Sequence, residues 1–149
     1  MFTRIRIALG LAVVLMLTTS ALAKGSFTFM LVSGRNLKTD VVVTDPAVTA
    51  DYFAFADFFH GKANEPASPG ASFEVTRYYV DHGRGQAFDR LHYYPDSGFV
   101  YYDGLVNGWS EYDGKWYAAK PEIKAMFERA VQTAALQEQA RHSVFIRRS

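Results

Sequence analysis

From residue 26 to residue 33, Phe27, Phe29 and Leu31 fall on one side of the chain and Thr28, Met30 and Val32 on the other. A repeat of two is the mark of a strand, here with both faces fairly apolar. Ser33-Gly34-Arg35-Asn36 is a turn cluster, and Leu37 to Thr44, centred on Val41-Val42-Val43, reads as a second strand and the return arm of a hairpin. At Asp45-Pro46 the repeat changes. Asp45 can accept from the free amides of a first helical turn, and Pro46 lacks the amide that would go unpaired there. Val48, Tyr52, Phe55 and Phe59 then follow at helical spacing, with Gly61 placed to end the helix. Lys62 to Gly70, with two prolines, is expected to be a loop.

Ser72 to Asp81, rich in the β-formers Phe73, Val75, Thr76, Tyr78, Tyr79 and Val80, reads as a strand. His82-Gly83-Arg84-Gly85 turns the chain, and Gln86 to Tyr94 brings it back. After Pro95-Asp96-Ser97-Gly98 comes a strand from Phe99 to Val106. Asn107-Gly108 and Asp113-Gly114 are strong hairpin signals, because their residues tolerate positive φ. They bracket predicted strands at Trp109 to Tyr112 and Lys115 to Ala118. Pro121 opens a final helix, expected to reach about Arg141, with Ile123, Met126, Phe127, Ala130, Val131 and Ala134 on one face. Residues 143–149 are expected to form a frayed tail. The predicted order is ββαββββ(β)α. Tight turns make the strands antiparallel, and amphipathic helices need a sheet face to cover. The expected fold is α+β, an antiparallel sheet of about six strands with two amphipathic helices packed on it.

The segment ahead of residue 24 follows neither repeat. Arg4 and Arg6 precede an apolar run from Ile7 to Leu17, and Ala21-Leu22-Ala23 follows. These are the basic, apolar and small-residue parts of a secretory signal. Scission is expected between Ala23 and Lys24, with Ala21 and Ala23 as the small residues before the cut. The competing outcome is retention as an anchor, although 17 residues from Ile7 to Ala23 fall short of the roughly 20 a spanning helix needs. Either way the following domain, residues 24–142, is expected outside the cytoplasm. Membrane contact is expected only through this segment, if it is not cut.

Composition narrows the chemistry. With 12 Phe, 9 Tyr and 2 Trp, the chain carries an aromatic load that disordered chains lack. Without residues 1–23, 14 basic residues face 15 acidic ones. This balance gives no electrostatic footprint for nucleic acid. There is no cysteine, which excludes disulfides, thiolate metal sites and a thiol nucleophile.

His60, His82, His92 and His142 show no metal-ligand spacing, and no cofactor motif occurs. Asp81, His82, Asp89 and His92 lie near one turn on consecutive predicted strands, the best arrangement for an acid–base site. Ser72 and Ser97 are the nearby hydroxyls, and neither sits in G-x-S-x-G. The glycines of 83–85 and 104–108 join strand to strand, so no helix N-terminus follows them to hold a phosphate. Three tyrosine doublets, Tyr78-Tyr79, Tyr93-Tyr94 and Tyr101-Tyr102, fall on neighbouring predicted strands. Adjacent strand residues point to opposite faces, so each doublet should send one ring inward and one outward. The outward rings, with Trp109, Trp116 and Tyr117 nearby, could stack sugars or meet a protein. The plainer account is cross-strand pairing that only stabilises the sheet.

The stretches Val32-Ser33-Gly34-Arg35-Asn36-Leu37 and Val41-Val42-Val43-Thr44-Asp45-Pro46 resemble the opening of a set of bacterial exported proteins. These typically run strand, turn, strand and T-D-P helix start. Phe73 to Tyr102 is similar in style to their tyrosine-rich part. The resemblance implies bacterial origin and export, and it transfers no functional residue. Some such proteins use a cysteine for lipid anchoring, so its absence here implies a released or signal-anchored form. Two functions are therefore expected of the chain: a non-catalytic domain binding a protein or glycan through an aromatic sheet face, or a small extracytoplasmic hydrolase near residues 81–92.

Overall fold

The computed structural model describes residues 26–146. The expected export segment and its cleavage point lie outside the described residues. Seven strands form one antiparallel sheet: β1 (Phe29–Gly34), β2 (Val41–Val43), β3 (Lys62–Ala63), β4 (Phe73–Asp81), β5 (Arg84–Tyr94), β6 (Phe99–Leu105) and β7 (Lys115–Ala118). Their order across the sheet is β2-β1-β4-β5-β6-β7-β3. Two helices accompany it, α1 (Pro46–Thr49) and α2 (Ile123–Ile146). The architecture is the α+β class that the alternation implied, with one more strand and a much shorter first helix.

The shortening of α1 has a local cause. It starts as the sequence suggests, with Asp45 Oδ1 accepting from the Ala47 amide at 2.9 Å and Pro46 behind it. One turn later, Asp51 takes the Phe53 amide at 2.8 Å, and Asp57 takes those of Phe59 and His60 at 3.0 and 3.1 Å. These side chains give the amides partners that a helix would otherwise have to supply. The apolar spacing still buries Val48 and Phe55, but Phe59 is left 57% exposed. Beyond Gly61 the expected loop begins with β3, whose two residues pair with Tyr117 and Trp116 of β7.

Residues 109–112 are likewise no strand. Asp113 accepts from the Ser110 amide at 3.1 Å and the Ser110 hydroxyl at 2.5 Å, which folds the segment into turns. The β4–β5 connection is the tight turn its glycines announced. His82 and Gly83 have φ of 47° and 76°, the paired positive values of a two-residue hairpin that follows the sheet's twist.

The core lies between one face of the sheet and a cover made by residues 48–58 and α2. Met30, Val32, Val75, Leu91 and Val100 point into it, and Ile123, Phe127 and Val131 of α2 close it. Phe127 packs edge-on against Phe55, Phe73 and Tyr93 at 5.2, 5.3 and 5.5 Å, pinning the helix to the sheet. Burial on α2 stops at Ala134, yet the helix continues to Ile146. The expected frayed tail is thus helical through residue 146. Residues 147–149 lie outside the described residues. No helix among the described residues is long and apolar enough to cross a membrane.

Candidate binding face

Each tyrosine doublet divides between the faces as strand geometry requires. Tyr93 and Tyr102 are sealed in the core, 1% and 0% exposed. Tyr79 also points inward, stacked on Phe27 at 5.0 Å and meeting Phe88 at 5.2 Å. Three of the expected partner-binding tyrosines, Tyr79, Tyr93 and Tyr102, therefore serve the interior. Tyr117, expected near the outward rings, is also buried, with Phe58 at 5.1 Å.

Tyr78, Tyr94 and Tyr101 take the outer face but do not make one ladder. A bulge at Arg77/Tyr78 leaves Phe88 unpaired, and Tyr78 stacks flat on Phe29 at 4.7 Å, towards the β1 side of the sheet. Tyr94 and Tyr101 instead flank Trp116, each ring centroid 5.2 Å from it. Strand register explains the grouping, because His92, Tyr101 and Trp116 are direct partners across β5, β6 and β7. His92 extends the row at 6.1 Å from Tyr101. Trp109, predicted to join these rings, stands on the β6–β7 loop, 78% exposed.

Glu65, His92, Tyr94, Tyr101 and Trp116 line an open depression of about 390 Å³ on this face. Nearby, Arg90 is shared by two carboxylates, Glu74 at 3.4 Å and Asp103 at 3.8 Å. The rings are half-buried by one another and held by cross-strand packing, so the surface is pre-shaped. It carries one carboxylate and one imidazole beside apolar area, a combination suited to stacking and hydrogen bonding.

The acid–base arrangement does not assemble. Asp81 and His82 sit 3.6 Å apart on the turn with side chains mostly in solvent. Asp89 points into the core, whereas His92 lies on the opposite face. Ser97 spends its hydroxyl on the Pro69 carbonyl at 2.8 Å. No group of three potential metal ligands occurs among the described residues.

Asp89 has another role, which sequence reasoning missed. It opposes Arg77 across β4 and β5, both side chains fully buried. Arg77 donates Nε to Asp89 Oδ1 at 2.7 Å and Nη2 to Oδ2 at 2.5 Å, while Nη1 donates to the Tyr52 carbonyl at 2.7 Å. The Tyr102 hydroxyl donates to Asp89 Oδ2 at 2.8 Å and lies 3.3 Å from the Tyr52 hydroxyl. Phe27 and Tyr52 place their rings 4.2 and 4.8 Å from the guanidinium carbon. Burial, and then the neighbouring Asp89 charge, push the Tyr102 hydroxyl far above the usual tyrosine range. This network is a closed interior device. The signal that could have found it is an arginine at inward parity between Val75 and Tyr79, facing an inward aspartate.

No family model, curated protein or solved structure matches the chain.

Proposed function

We propose that the protein is an exported, non-catalytic domain that binds a partner through the outer face of its sheet, at the Tyr94–Trp116–Tyr101 row. The supporting observation is the break in alternation at that row. An antiparallel sheet with one solvated face normally turns polar residues outward. Here Tyr94, Phe99, Tyr101 and Trp116 occupy outward positions on three adjacent strands. Cross-strand pairing alone is worth about 0.2–1 kcal/mol per pair, and the buried inner rings already supply the core. The N-terminal signal pattern supports an extracytoplasmic location, and contact with the membrane runs through that segment alone if it is retained.

Retention on the native envelope fraction tests this reading. The full chain carrying Tyr94→Ser and Tyr101→Ser is expected to lose retention at least tenfold. Its stability should fall by no more than about 2 kcal/mol, since only half-buried pairs on the outer face are removed. Retention equal to that of the parent would count against the proposal.

A further inference from the structure

We infer that the ligand of this face is a neutral saccharide, laid across Trp116, Tyr101 and Tyr94 with its hydroxyls on Glu65 and His92. The inference rests on the binding reading above and adds the ligand's chemistry. Ring spacing decides first between a cage and a platform. An ammonium held by aromatic rings lies over their faces, within about 6 Å of each centroid. Rings whose centroids stand only 5.2 Å apart are in contact with each other, and no cation fits between them. Their interplanar angles of 39° and 53° likewise leave a tilted surface with no enclosed space. The ligand must lie on top.

Charge decides next. Glu65 is the carboxylate lining the depression, and Arg90, the nearby guanidinium, is already shared by Glu74 and Asp103. A phosphate, sulfate or acidic sugar would meet repulsion with no spare arginine to offset it. Hydrogen bonding decides between the neutral candidates. A proline-rich peptide offers flat apolar faces but few donors, so covering Glu65 would leave an acceptor unpaired, at a cost of about 1–3 kcal/mol or more. A sugar ring presents C–H groups to the aromatic faces and O–H donors at its edge. Hydroxyls donating to Glu65 make charge-assisted bonds, roughly twice as strong as neutral ones. The rings are already held by their neighbours, so little side-chain freedom is lost on binding.

The test uses the full chain with Trp109→Phe, which makes Trp116 the sole tryptophan without touching the core. Trp116 emission is followed against cellotetraose, chitotetraose and mannotetraose, then decaproline, tetramethylammonium and inorganic phosphate. At least one saccharide is expected to shift the emission saturably in the millimolar range or below. Glu65→Ala, which alters an exposed loop residue, should weaken that response about tenfold, the worth of one charge-assisted bond. No response to any of the three saccharides overturns the inference, as does a response confined to decaproline, tetramethylammonium or phosphate. If envelope retention still depends on Tyr94 and Tyr101 in that case, the binding face stands and only its ligand class is wrong. If retention does not depend on them, the underlying reading fails as well.

Discussion

Asp89→Ala is expected to destabilise the protein by about 3–5 kcal/mol, the usual cost of breaking a buried ion pair from one side. The loss exceeds that of the contacts themselves. Arg77 would keep its charge at 0% exposure with no carboxylate to answer it, and the Tyr102 hydroxyl would lose its acceptor. Replacing both partners, Arg77→Met with Asp89→Leu, removes the stranded charge and should cost less than Asp89→Ala alone. Urea unfolding decides the matter. The single variant should shift the midpoint strongly at an unchanged slope. A loss below about 1 kcal/mol would mean the pair is better solvated than its burial implies.

The second large effect is alkaline unfolding. Burial, followed by the Glu128 charge, pushes the Tyr93 hydroxyl up to about 12 from its ordinary 10.0, and Tyr102 is raised further still in direction. In the unfolded chain these phenols ionise near 10, whereas the folded protein keeps them protonated. Their stabilisation is therefore complete below about pH 10 and is lost as pH rises through 12. Tyr93 alone accounts for about 3 kcal/mol across that interval. Circular dichroism should collapse there together with a step in tyrosinate absorbance. Tyrosinate formation by Tyr93 and Tyr102 within an intact fold would contradict the burial argument.

Both effects arise on the inner face of the sheet, where the alternation of the strands is regular although the sequence left open which ring of each doublet points inward. Phe73, Val75, Leu91, Tyr93, Val100 and Tyr102 all lie where a period of two puts them. The turn at 82–83 was equally legible, because positive φ restricts residue choice. The hairpin expected at Asn107-Gly108 does not form, since Gly108 alone of the two has positive φ and no strand follows before Lys115. Two features were hidden because side chains overrode a local pattern. Asp51 and Asp57 captured amides that a longer first helix would have used. The Ser110–Asp113 pair turned a predicted strand into a loop and carried Trp109 away. Tyr78 stands apart from Tyr94 and Tyr101 by register, since it pairs with Ala87, seven residues along β5 from Tyr94. Glu65 could not be associated with the row either, because the edge pairing of β3 with β7 rests on only two residues.

The division of labour between the faces can be read ring by ring. With aromatic positions labelled for NMR, native envelope extract is added to the folded protein. Shifts should be confined to Trp116, Tyr101 and Tyr94, with Tyr93 and Tyr102 unmoved. Shifts centred instead on Trp109 or Phe59, or none at all, would contradict the claim that the outer aromatic row is where this protein meets its partner.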